Sequence, residues 1–138
     1  MLYFHLWNEH LPPLPTSGPD LPWANTLGRA FIRSLRAVAG YWANEPHLAY
    51  LKAIGGVTSL FSPTEASGGL HMMKRLGFSV FPYQSKLGSF GEFWENFYAW
   101  GLLWAYNAAS LQSRRFRRLR RCEFWMGKQD FLTRFKAP

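Results

Sequence analysis

Residues 89–111 read SFGEFWENFYAWGLLWAYNAASL. Whether this segment crosses a bilayer decides whether the chain is a membrane protein or a layered α/β domain. Its apolar core, Phe97 to Tyr106, is ten residues long, about half of the roughly 20 that a spanning helix needs. Glu92 and Glu95 lie in the same segment and would have to enter hydrocarbon. The expectation is therefore a long aromatic helix that does not span. It is followed by QSRRFRRLRR, which holds Arg114, Arg115, Arg117, Arg118, Arg120 and Arg121. Trp94, Tyr98, Trp100, Trp104 and Tyr106 beside such a cluster suit an anionic membrane surface. The same pattern also fits a core helix trailed by a solvated basic turn. Nucleic acid is the disfavoured partner, because basic charge stands here without a recognition fold or zinc-finger spacing.

The rest of the chain reads outward from this helix as alternating strands and helices. LYFHLWN (2–8) is short and rich in β-formers, with both faces largely apolar, as in a strand covered on both sides. LPPLPTSGPDLP (11–22) is a proline-rich loop. From Trp23 to Ala43, Leu27, Phe31, Leu35, Val38 and Trp42 recur at helical spacing, with Arg29, Arg33 and Arg36 on another face. A second strand lies within LAYLKAIGGVTSLF (48–61), where Gly55 and Gly56 signal a bulge or a close backbone approach. A short helix stopped by Gly77, a strand FSVFPY, the aromatic helix, a strand CEFWM and a closing amphipathic turn or helix KQDFLTRF follow. The expected fold is thus a single α/β domain over 1–138, with a small sheet of about four strands in β-α-β-α-β-α-β order.

Composition agrees with a packed domain. The chain of 138 residues is 48% hydrophobic and 17% charged, and 18% of it is aromatic. The aromatic surplus implies either a very aromatic core or an exposed aromatic surface. The formal charge of +8 is concentrated after residue 60, which favours anionic partners. Cys122 is the lone cysteine, so no internal disulfide or multi-cysteine zinc site exists, and a reducing, cytoplasmic setting is expected. His5, Asn8 and Glu9 interrupt the N-terminal apolar run, against a signal peptide.

A polar cluster closes the first strand. Ligands of open α/β sheets bind at the carboxyl ends of strands, which is where His5, Trp7, Asn8, Glu9 and His10 stand, with Arg29 and Arg33 on the following helix. Glu9 and His5 have the chemistry of an acid–base pair, and Trp7 that of a stacking platform for a polar small molecule or saccharide. The plain alternative is that Asn8 and Glu9 satisfy backbone groups at a turn. The His5/His10 spacing matches no metal signature, and neither a metal nor a cofactor is expected. His47, His71 and Cys122 read as structural residues.

Three stretches, FHLWNEHLPPLP (4–15), LKAIGGVTSLF…LHMMKRLGFSVFPY (51–83) and FWENFYAWGLLWAYNAASL…RRCEFWMGKQDFLTRF (93–135), together resemble the YkoP-like domain. That domain occurs alone or appended to polysaccharide deacetylases of the NodB-homology kind. The resemblance implies an accessory or ligand-binding module linked to envelope polysaccharide metabolism near the inner membrane surface. It also implies residues before HLWNE that this chain lacks. Separately, GLHMMKRLGFSVFPY has the helix–LGF–strand order of GNAT-type acetyltransferases; such an enzyme would use Glu9 or His5 as its base.

Overall fold

The computed structural model describes the chain except residues 5–10, 19, 59–67, 112–115, 117–120 and 137–138. It is a mixed α/β fold with a four-stranded mixed sheet and four α-helices. In chain order these are β1 (Leu2–Tyr3), α1 (Leu21–Asn44), β2 (Ala53–Thr58), α2 (Gly68–Arg75), β3 (Ser79–Pro82), α3 (Gly88–Asn107), β4 (Cys122–Gly127) and α4 (Lys128–Phe135). The spatial order is β1-β2-β4-β3. β1 runs parallel to β2, and β4 is antiparallel to both neighbours.

Local chemistry sets the element ends. Asp20 accepts a hydrogen bond from the Trp23 backbone N–H at 2.8 Å, and Pro22 sits in the first turn. This cap starts α1 at Leu21, two residues before the expected start at Trp23. The Trp23 indole donates to the Pro12 carbonyl at 3.0 Å, which ties the proline-rich loop to the helix. At the end of α2, Gly77 takes φ +89° and the Phe78 N–H reaches back to the Met73 carbonyl at 3.0 Å. That is the Schellman geometry, and only glycine adopts it without strain.

One cluster forms the core. α1 supplies Phe31, Leu35, Ala39 and Trp42, α2 supplies Leu70 and Met73, and α4 supplies Phe131 and Phe135. They pack on Ile54, Cys122, Phe124 and Met126 of the sheet and on Phe78. Edge-to-face ring contacts link Phe4 to Phe31 at 5.6 Å and Phe78 to Phe124 at 5.5 Å, a geometry favoured by the ring quadrupoles. Successive strand residues point to opposite faces, so the helices of the core cover one face only. Tyr3 on the other face is 64% exposed, which corrects the expectation that β1 is covered on both sides; the remainder of the expected strand 2–8 lies outside the described residues.

The diglycine is a close approach. The Phe4 N–H donates to the Gly55 carbonyl, and a Cβ on Gly56 would stand 2.5 Å from the Phe4 carbonyl oxygen. Gly56→Ala must therefore push β1 away and is expected to cost about 1–3 kcal/mol in chemical denaturation. Gly40→Ala, inside α1 with nothing within 4 Å of the new Cβ, is expected to stabilise by about 0.5–1 kcal/mol.

Candidate functional site

β3 and β4 are adjacent antiparallel strands, a pair that a turn of two to five residues can join. The Tyr83 N–H donates to the Arg121 carbonyl at 3.1 Å, so the chain leaves the sheet and returns to it at one point. Between these residues it makes a long excursion containing α3 and a 3₁₀ turn, Ala108–Leu111. No described residue of the excursion belongs to the core cluster.

α3 presents its apolar face outward. Phe90, Phe93, Trp94, Phe97, Tyr98 and Trp104 are each at least half exposed. Their spacing of three, four and seven residues places them on one stripe, which Gly101 and Ala105 share and which carries no charge. The rings form a ladder: Phe93 meets Trp94 at 5.4 Å, Trp94 meets Phe97 at 5.9 Å, and Phe93 stacks on Phe97 at 6.5 Å. Phe116, from the returning segment, packs against Phe93 and Trp100, each at 5.8 Å. Glu92, Glu95 and Asn96 on the other side of α3 are half-buried. An ordinary surface helix shows water the reverse arrangement.

A polar knot holds the root of this helix. The Glu95 carboxylate accepts from the Ser85 hydroxyl at 3.0 Å and, at a longer 3.4 Å, from the Tyr83 hydroxyl. Its second oxygen pairs with the Arg121 guanidinium, which also lies 4.7 Å from the Tyr83 ring centre. The Arg121 side chain is only 10% exposed; desolvation pulls its pKa down, and the charges facing it push back. The knot leaves the Glu95 charge paired and orients the stripe away from the sheet. Sequence reading passed over Tyr83 and Ser85, because their meeting with Arg121 depends on β3 pairing with β4, which local pattern does not encode.

The residues expected at a strand-tip cleft, His5, Trp7, Asn8, Glu9 and His10, lie outside the described residues. Arg29 and Arg33 are exposed on α1. Arg114, Arg115, Arg117, Arg118 and Arg120 also lie outside the description; Arg121 is engaged by Glu95. His47 pairs with Glu45 at 3.1 Å just beyond α1, and His71 lines an open groove of about 390 Å³ with Met72, Arg75 and Leu76. Among the described residues no three His, Cys, Asp or Glu side chains come together as a metal site. No described helix is long and apolar enough to cross a membrane. No protein-family model, curated protein or solved structure matches this chain.

Cys122 is fully buried in the core, and burial pushes its thiol up to about 11 from 9.0. The folded state therefore holds a proton that the unfolded chain releases earlier. Its stabilising contribution is complete below pH 9.0 and is lost as pH rises through about 11. Cys122→Ala is expected to flatten the decline of denaturation midpoint across that window relative to the native chain. Thiol titration at pH 8 should detect no reactive group until the protein unfolds.

Proposed function

We propose that the chain is a peripheral membrane domain that lays the aromatic stripe of α3 along an anionic bilayer surface. The single observation that carries this reading is the inverted helix. An excursion that the sheet does not need for closure turns Phe, Trp and Tyr rings outward and its carboxylates inward. Trp and Tyr favour the boundary between headgroup and acyl chain, and a helix lying flat there buries its apolar face without spanning. A self-associating helix is the weaker fit: helical seams are built on Leu, Ile and Val, and this stripe has none of them. Pairing of Glu95 with Arg121 removes a negative charge that would be repelled. The arginine run at 114–120 follows α3 in sequence, and each basic residue near such a surface contributes about 1 kcal/mol. The cytoplasmic leaflet, where anionic lipid is concentrated, is the proposed location, and an accessory module of YkoP-like type is the proposed setting.

Co-sedimentation with phosphatidylglycerol-containing vesicles tests the reading. Binding is expected to exceed binding to neutral vesicles and to weaken with added salt. Trp104→Ser should lower partitioning about thirtyfold, because inserting roughly half of a large ring's area is worth about 2 kcal/mol. Equal affinity for neutral and anionic vesicles, or binding indifferent to Trp104, would overturn it.

A further inference from the structure

The helical layer on the core side of the sheet carries a groove that the reading of α3 does not use. It is open, about 390 Å³ in volume, and lined by His71, Met72, Arg75 and Leu76. Residues four apart on a helix share a face, so these four make two rows along α2 and its end. Met72 and Leu76 form the inner row, half-buried against the core cluster. His71 and Arg75 form the outer row, and both are exposed. α1 stands beside this floor, since a Cβ on Gly28 would lie 4.0 Å from the Met72 sulfur. Gly28, Ile32 and Arg36 recur every four residues on that side of α1, and Arg29 and Arg33 adjoin them toward solvent. At the end of α2 the Arg134 guanidinium donates to the Arg75 carbonyl at 3.3 Å, which brings in a further cation from α4.

Charge on this layer is one-sided. Neither α1 nor α2 contains an Asp or Glu, and Arg29, Arg33, Arg36 and Arg75 make no ion pair with any described residue. The described acids lie elsewhere. Asp20 caps the start of α1, Glu45 pairs with His47 beyond its end, and Asp130 stands in the first turn of α4. Glu92 and Glu95 belong to α3, and Glu123 alternates with the core residues Cys122 and Phe124, so it faces the other side of the sheet. An apolar floor under a cationic rim selects an anion with an apolar body. Inorganic phosphate would leave Met72 and Leu76 unused, and a neutral chain would leave the arginines unused. The volume lies near the lower end of small-molecule sites, roughly 300–1,000 Å³, so it takes one chain and not two. α2 has eight residues, about 12 Å of length, too short a wall to seat a peptide helix. We propose that the groove between α1 and α2 binds a single-chain anionic amphiphile, an alkyl carboxylate or alkyl phosphate. Its chain lies along Met72 and Leu76, and its head group meets Arg75 and the α1 arginines. This site does not depend on the membrane reading of α3.

Octanoate is the probe, followed by the methionine methyl signals of isotopically labelled full-length protein. The Met72 signal is identified by its loss in Met72→Leu. It is expected to shift saturably, with a Kd on the order of 1 mM. Octylammonium, with the same chain and the opposite charge, should bind about tenfold more weakly or worse, because it meets like charge at the rim. Arg75→Gln should weaken octanoate by about tenfold, the scale of one charge-assisted hydrogen bond. The comparison of the two chains uses the native protein, so the outcome survives a variant that folds poorly. Tighter binding of octyl phosphate than of octanoate would assign a phosphate head group, and the reverse would assign a carboxylate. Trp104→Ser should leave the Met72 shift unchanged, which separates this groove from the aromatic stripe. An unsaturable shift, equal binding of octanoate and octylammonium, or a Met72 shift that disappears in Trp104→Ser overturns the proposal.

Discussion

The sheet exists only because β4, the last strand in the chain, inserts between β2 and β3. β2 and β3 do not pair with each other, and each is held by its antiparallel ladder to β4. Phe124 at the middle of β4 packs on Phe4, just past the end of β1, and on Phe78, just before β3, so one ring seals the layer between helices and sheet. β2 and β4 are joined by pairs such as Thr58 with Cys122, a separation that makes loop closure the costly step in folding. α4 follows β4 without a break and buries Phe131 and Phe135, so strand insertion and helix docking reinforce one another.

That constraint also explains why the excursion carrying α3 is free to serve another purpose. Once Tyr83 and Arg121 meet, the β3–β4 ladder is indifferent to what lies between them. The knot of Ser85, Glu95, Tyr83 and Arg121 is the mechanical link. It fixes which side of α3 faces the body and leaves the rings to face outward.

Much of the fold was legible because burial follows simple periods. The α1 stripe Phe31, Leu35 and Trp42 is buried as its spacing requires, and Arg29, Arg33 and Arg36 are exposed. Gly77 stops α2 as its position indicated. α3 shows the limit of such reading. An aromatic run fixes that a helix forms, but not which side of it meets the body, because Trp, Tyr and Phe serve core and boundary alike. β1 shows a second limit: Leu2 and Tyr3 are both apolar, yet only the side of Leu2 and Phe4 packs on the core. The ligand cluster read at His5 to His10 falls outside the described residues.

The account rests on α3 being a working surface and not a part of the core. Amide hydrogen exchange of the full chain, with and without anionic vesicles, tests this most directly. In the free protein, residues 88–107 should exchange faster than those of α1 and β4, since they bury few side chains. Vesicles should slow exchange in 88–107 and leave β2 and β4 unchanged. Protection of 88–107 already equal to that of α1 in the free protein, or no change on adding vesicles, would contradict the account.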